Sequence, residues 1–332
     1  MTFKQNWEKA GLGHHLPDET LEAMVELAFP GRTIQSKHSI SEGCANLNYV
    51  IEIAQIKGPF ILRIYLRDQK AAYREQKLGQ LLKQIVPIPQ IHFISNYESY
   101  RFAIAEYLPG ISLRDLLLGN RSQNFGALLV DTGLMLTKIR SYVFEEAGFF
   151  DEDLKITRSI SQQGYSEYGQ QCLREPVVEQ IFSPHVLGKM GYFLKKYQAF
   201  FPDEQETHLV HADFDPANIL VVETDKEWQI SGILDWEFSF SGSSLCDIAN
   251  MLRYAHQMPA WFERGFLQGL KKGGYRLPEH WRISVHLLNL LSLLDCLIRS
   301  CGKRPNQRKD ICALLGNILT ELSRFAEIEK NG

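Results

Sequence analysis

Leu209-Val210-His211-Ala212-Asp213-Phe214-Asp215-Pro216-Ala217-Asn218-Ile219-Leu220-Val221-Val222, answered downstream by Ile233-Leu234-Asp235-Trp236-Glu237, is the stretch that decides the fold. It runs His-x-Asp, four residues, Asn, an apolar strand, a polar turn around Thr224-Asp225-Lys226, a returning strand from Trp228 to Leu234, and then an aspartate. Taken singly, an Asp, Asn or His is usually a cap, a turn residue or a solvated side chain. In this order around a hairpin they suit phosphoryl transfer. Asp213 would accept or orient a hydroxyl proton, while Asn218 and Asp235 would hold magnesium against a triphosphate. A hard cation takes oxygen ligands and keeps several waters, so one amide and one carboxylate complement the phosphate oxygens.

Outward from this stretch, the two halves of the chain differ in period. Leu21, Met24, Val25 and Ala28 lie at helical spacing within Leu16 to Phe29, and Pro30-Gly31 stops that helix. Asn48 to Ile53 and Phe60 to Tyr65, joined by Lys57-Gly58-Pro59, predict a hairpin. A helix over Ala71 to Ile85 follows, then strands at Ile91 to Ile94 and Phe102 to Ala105. Beyond Leu108-Pro109-Gly110, amphipathic stretches at Leu113 to Leu118, Phe125 to Ile139 and Val186 to Phe200 dominate, and the pattern is helical again from Asp247 to the end. The expected class is α+β and bilobal, with a small antiparallel-sheet lobe over residues 1–107 and a larger, mostly helical lobe over 108–332.

Composition excludes several classes. The chain has 332 residues, 45% apolar and 23% charged, the profile of an ordinary globular protein. A formal net charge of -3 offers no electrostatic basis for a nucleic-acid partner. The six cysteines form no C-x-x-C pair, which suits a reduced, cytoplasmic setting. The start Met1-Thr2-Phe3-Lys4-Gln5-Asn6-Trp7-Glu8 is unlike a signal peptide. Val285 to Ile298 is broken by His286, Asn289 and Asp295 and reads as a buried helix, so no membrane partner is expected. A monomer or homodimer is expected.

The segment His211-x-Asp213…Asn218-Ile219-Leu220-Val221, then Asp235-Trp236-Glu237, then Asp247 before a helix resembles the aminoglycoside phosphotransferase and choline kinase group, whose fold is protein-kinase-like. The resemblance implies Asp213 as catalytic base, Asn218 and Asp235 as metal ligands, His211 as a brace for the catalytic loop, and Asp247 as a structural support. It implies ATP or GTP with Mg²⁺ as cofactors. Ser41 to Tyr49, between two predicted strands, would cover the phosphates, with Gly43, Asn46 and Asn48 as nucleotide contacts. Relatives put a lysine on the second strand; this chain has Arg63, which keeps the charge but brings a planar fork in place of a point charge. Glu75, on the next helix, is its expected partner. Glu106 and Leu108, in the link between lobes, would meet the base through main-chain groups.

The acceptor is expected to be a hydroxyl of an aminoglycoside-like antibiotic or related small molecule, with a choline-, homoserine- or sugar-type metabolite as the alternative. Glu145-Glu146 and Asp151-Glu152-Asp153 are the carboxylates that would pair with a cationic acceptor. Trp236 and Glu237 either face the acceptor or pack. A Ser/Thr protein kinase is disfavoured because H-R-D and D-F-G are replaced by His211-Ala212-Asp213 and Asp235-Trp236-Glu237. Arg63 alone hints at a nucleotide-binding pseudokinase.

Overall fold

The structure, a computed structural model, describes residues 3–8, 16–40, 46–119, 123–160, 164–225, 227–300 and 303–331. The first lobe runs α1 (Asp18–Ala28), β1 (Ile34–Ile40), β2 (Leu47–Ile53), β3 (Pro59–Tyr65), α2 (Ala71–Leu82), β4 (Ile91–Tyr97) and β5 (Tyr100–Glu106). Its antiparallel sheet has the order β1-β2-β3-β5-β4. The expected strands are all present, and β1 is an addition. Ile34-Gln35-Ser36-Lys37-His38-Ser39-Ile40 lacks an apolar alternation because it is an edge strand with no fully buried residue.

Alternation along the strands sorts the two faces of the sheet. Leu47, Tyr49, Ile51, Ile53, Leu62, Ile64, Phe102 and Ile104 bury against Leu21, Met24 and Val25 of α1. Arg63 and Tyr65, one residue out of phase, turn to the opposite face, where Tyr65 packs with Ala71, Ala72 and Ala103 under α2. Strand periodicity therefore delivers Arg63 to the cleft.

The second lobe continues with β6 (Ile111–Ser112), α3 (Leu113–Gly119), α4 (Gly126–Ile139), β7 (Gly148–Phe150), β8 (Ile156–Arg158), α5 (Tyr165–Cys172), α6 (Pro176–Ile181) and α7 (Pro184–Lys196). Then come β9 (His208–Val210), β10 (Ile219–Thr224), β11 (Glu227–Ile233), β12 (Phe240–Gly242), α8 (Leu245–Leu252), α9 (Ala260–Lys272), α10 (Trp281–Ser300) and α11 (Pro305–Asn331). The predicted hairpin is β10–β11, and β6 joins its edge through Leu220↔Ser112 and Val221↔Ile111. Gly110 makes that entry possible: its φ is +132°, and a Cβ there would lie 2.5 Å from the Val221 carbonyl oxygen.

Helix α10 is long and apolar enough to cross a membrane, but its leucines Leu287, Leu290, Leu293, Leu294 and Leu297 are fully buried in the core of this lobe. Phe3 and Trp7, first in sequence, bury in that same core and not in the sheet lobe. Phe3 lies against Tyr254 and Phe262, with ring centroids 5.1 and 6.1 Å away, and Glu8 accepts from the amides of Asn306 and Gln307 at the start of α11.

Candidate active site

The loop between β9 and β10 is held from below. Asp247, fully buried on α8, accepts from the backbone N–H groups of His211 (2.9 Å) and Ala212 (2.8 Å). Ala212 needs that support, because its φ of +69° lies in the left-handed region that L-residues avoid. Burial pushes the Asp247 carboxyl up to about 7, against the downward pull of the two amides.

His211 is also buried, and burial lowers its pKa, keeping the ring neutral. Nε2 donates to the Leu234 carbonyl (2.9 Å), which leaves Nδ1 to accept from the Asp213 amide (3.2 Å). The ring thus ties the loop to the end of β11, packed against Trp236 with centroids 4.5 Å apart. The Leu234 amide donates to the Asn218 carbonyl (2.8 Å) and draws Asp235 beside Asn218. Asp235 itself has φ +66°.

Asp213, Asn218 and Asp235 all line one cleft of about 1630 Å³ between the lobes. The Asn218 amide nitrogen donates to the backbone oxygen and to Oδ2 of Asp213, both at 2.9 Å. Both amide hydrogens are therefore engaged, and Oδ1 remains as an oxygen donor. Asp235 presents a partly exposed carboxylate whose Oδ1 accepts from Arg63 (2.7 Å). One amide oxygen and one carboxylate, both hard, fit Mg²⁺ shared with phosphate oxygens. Among the described residues there is no cluster of three or more His, Cys, Asp or Glu side chains that could hold a metal alone.

Across the cleft, Arg63 meets Glu75 (3.4 Å) and Glu237 (3.8 Å) as well as Asp235. Burial alone would lower its pKa, but these carboxylates hold it raised and charged. Its Nε is buried with no hydrogen-bond partner among the described residues. Arg63 lines the cleft, and a charged guanidinium there suits an incoming phosphate. Asn48, directly opposite Arg63 across β2–β3, also lines the cleft.

Asn46 departs from its expected nucleotide role. Its buried amide donates to Glu237 (3.0 Å) and its oxygen accepts from the Leu66 amide (3.2 Å), so the side chain is a tie between lobes. Glu237 neither faces an acceptor nor merely packs. It receives Arg67 (2.5 Å), while its backbone oxygen takes two donors from Arg74 (3.1 and 2.7 Å). Burial and Asp235 push its carboxyl up to about 7, opposed by Arg63 and Arg67. Gly43, with the rest of 41–45, lies outside the described residues.

Glu106 and Leu108 both line the cleft at the lobe link. The Glu106 amide is engaged by the Gln90 carbonyl (2.9 Å), whereas no hydrogen bond to another described residue engages the main chain of Leu108. The acidic runs lie elsewhere. Glu145 and Glu146 are exposed, Glu152 pairs with Lys70 (3.1 Å), Asp153 pairs with Lys77, and none lines the cleft.

Sequence inspection missed Lys4. Its ammonium lies 2.7 Å from Asp213 and also pairs with Asp215. Burial opposes its charge, but the two carboxylates raise its pKa and keep it protonated. In return Lys4, by charge and hydrogen bond, overcomes the effect of burial and brings the Asp213 carboxyl down to about 2. No local motif could have announced a contact across 209 positions.

A strand lobe carrying a buried cation, a helical lobe carrying a braced His-x-Asp loop, and an Asn–Asp pair between them define a kinase-like phosphotransferase. The sequence profile of the phosphotransferase enzyme family (APH) matches residues 38–282, and the chain belongs to that family. Solved structures with the same fold include a thermostable aminoglycoside phosphotransferase APH(4)-Ia with ADP and hygromycin B, at 17% identity and TM-score 0.68, covering 91% of this chain and 98% of that one. A macrolide 2'-phosphotransferase, MphH of Brachybacterium faecium, aligns at 16% identity and TM-score 0.62, covering 89% and 98%. Aminoglycoside phosphotransferase APH(2'')-Ib with ADP aligns at 17% and 0.59, covering 90% and 97%. No curated protein sequence matches the chain.

Proposed function

We propose that this protein transfers the terminal phosphoryl group of ATP to a hydroxyl of a small molecule, in the cytoplasm. The observation that carries this is the convergence of Asp213, Asn218 and Asp235 on one side of the cleft with Arg63 on the other. The bound nucleotides named for the structural neighbours, ADP above all, favour ATP over GTP.

In the proposed reaction Asp213 accepts the hydrogen bond of the acceptor hydroxyl and aims its oxygen along the line of transfer. That oxygen bonds the γ-phosphorus as the bond to the β–γ bridging oxygen breaks, ADP leaves with the electron pair, and the proton passes to Asp213 and on to solvent. A carboxyl brought down to about 2 is a weak base, so Asp213 serves chiefly to orient the hydroxyl and takes the proton late. Asn218 Oδ1 and Asp235 would hold Mg²⁺, whose charge offsets that of the phosphate oxygens. Arg63 would supply positive charge to a phosphate oxygen. Leu108 would offer its main chain to the base. His211 and Asp247 set the loop and take no part in the chemistry.

The test is a coupled assay of ADP release with Mg-ATP and Mg-GTP against aminoglycosides, macrolides and hydroxylated metabolites. Asp213→Asn should lower turnover by about 10²–10⁴-fold. Unchanged turnover in that variant would remove Asp213 from the role. Among the acceptors open to this family, the side chains around Asp213 favour a metabolite over a polycationic antibiotic.

A further inference from the structure

The acceptor half of the cleft lies below Asp213, between α5, α8, α10 and the strap Phe3 to Glu8. Its described carboxylates already have cations. Lys4 pairs with Asp213 and Asp215, while Arg299 pairs with Asp295 (2.8 Å), which also accepts from the Tyr168 hydroxyl (2.7 Å). No described carboxylate on this side is left for a ligand ammonium.

One cation on this side has no carboxylate in contact with it. Arg253, at the end of α8, is only 6% exposed and lines the cleft. Its guanidinium bonds to neutral oxygens: Asn289 (2.9 Å), Ser292 (2.9 Å) and Asn250. Among the described residues no carboxylate pairs with it, and its Nη1 has no hydrogen-bond partner. Asn250 carries the connection to the catalytic loop by donating to the Ala212 carbonyl (2.7 Å). Arg253 shares the charge of Asp213 with Lys4, which is the cation in direct contact with that carboxylate, and three neutral partners lower the cost of burying the guanidinium without cancelling its charge. An anion entering the cleft would cancel it.

Lys4 sharpens the same point. An aminoglycoside or choline brings ammonium groups to a kinase, and here the chain supplies its own ammonium beside Asp213. That ammonium is not loosely placed, since the strap is anchored by Phe3 and Trp7 in the core and by Trp7 Nε1 donating to Asp310 (2.9 Å). A second ammonium in this space would meet the like charges of Lys4 and Arg253, which a low-dielectric site disfavours.

We propose that the acceptor is an anionic hydroxy compound, a carboxylate or phosphate ester, whose anion docks against Arg253 and Arg299, which line the same cleft, while its hydroxyl lies on Asp213. This rests on the kinase assignment above and specifies its substrate class. Arg253 and Arg299 are then residues that determine specificity, Arg253 buried and Arg299 exposed, with Arg299 lying over the Phe238 ring at 5.2 Å.

The experiment loads the full chain with Mg-AMP-PNP to fill the nucleotide half, then measures binding of inorganic phosphate and of malonate by equilibrium dialysis. The expected result is saturable binding of one anion per chain, weakened at least tenfold by Arg253→Gln and by Arg299→Gln and largely kept by Arg253→Lys. The phosphate and malonate arms distinguish a phosphate ester from a carboxylate. Far-UV dichroism and Mg-AMP-PNP binding serve as folding controls. Normal nucleotide binding with no anion binding, or with anion binding that both Gln variants leave unchanged, overturns the proposal. So does ADP release stimulated by kanamycin, hygromycin B or choline. Loss of Mg-AMP-PNP binding in the parent chain would instead overturn the kinase assignment itself.

Discussion

Asp247→Asn isolates the brace beneath the catalytic loop. In the parent, two backbone amides that have no other acceptor end on the Asp247 carboxylate at 2.9 and 2.8 Å, in a fully buried position. Hydrogen bonds to a charged acceptor contribute about 1.5–3 kcal/mol each, and leaving a buried donor unmatched costs about 1–3 kcal/mol. Asparagine can keep one bond through its oxygen, but must turn an NH2 toward the other amide. One bond is lost and one donor is stranded against another donor. The loss is softened because the carboxylate no longer has to be buried, which leaves a net destabilisation of about 2–4 kcal/mol. Urea unfolding followed by far-UV dichroism measures it, with an unchanged slope expected because the surface exposed on unfolding is the same. Since Ala212 at φ +69° and the Asp213 amide both depend on this support, ADP release should fall with it. A variant within about 0.5 kcal/mol of the parent, a difference typical of unremarkable surface changes, would refute the claim that these two bonds hold the loop.

Three further outcomes follow from particular contacts. Ala212→Gly relieves a left-handed alanine, a gain of about 1 kcal/mol reduced by the extra freedom of glycine when unfolded, so stability should rise by about 0.5 kcal/mol; a clear loss would contradict the backbone geometry. Lys4→Met strands the buried Asp215 and the partly exposed Asp213 and should cost about 3 kcal/mol in urea unfolding, although Lys4 lies far outside any catalytic motif. His286, on α10 against Phe325, is held neutral by burial and by the charges of Arg282 and His256, its pKa brought from 6.5 down to about 4. The unfolded chain takes up this proton below about pH 6.5 and the folded chain only below about 4. Stability should therefore be full above 6.5 and fall by roughly 3 kcal/mol as pH drops through that window. His286→Leu should flatten this slope, and an unchanged slope would assign it to other groups.

Much of the molecule was legible before any coordinates. The resemblance singled out Arg63 at the place of a strand lysine, and the structure shows it out of phase with the buried Leu62 and Ile64, on the cleft side of the sheet. Helical spacing located α1, α2, α4 and α7 to within a few residues. The edge strand β1 escaped because an edge needs no buried face. Asn46 was misread for a different reason. Its neighbours suggested a phosphate-covering loop, but its partner, Glu237, lies 191 positions away.

Local spacing was enough to point to phosphoryl transfer and to a sheet half followed by a helical half, because Asp213, Asn218 and Asp235 flank one hairpin and such spacing is visible along the chain. What surrounds that loop is set by packing between distant parts of the chain. Lys4 reaches Asp213 across 209 positions, Arg67 reaches Glu237 across 170, and Arg253 is left with Asn250, Asn289 and Ser292 as neutral partners. The charge of an acceptor site is a sum over side chains brought together by packing, and no stretch of the chain contains that sum.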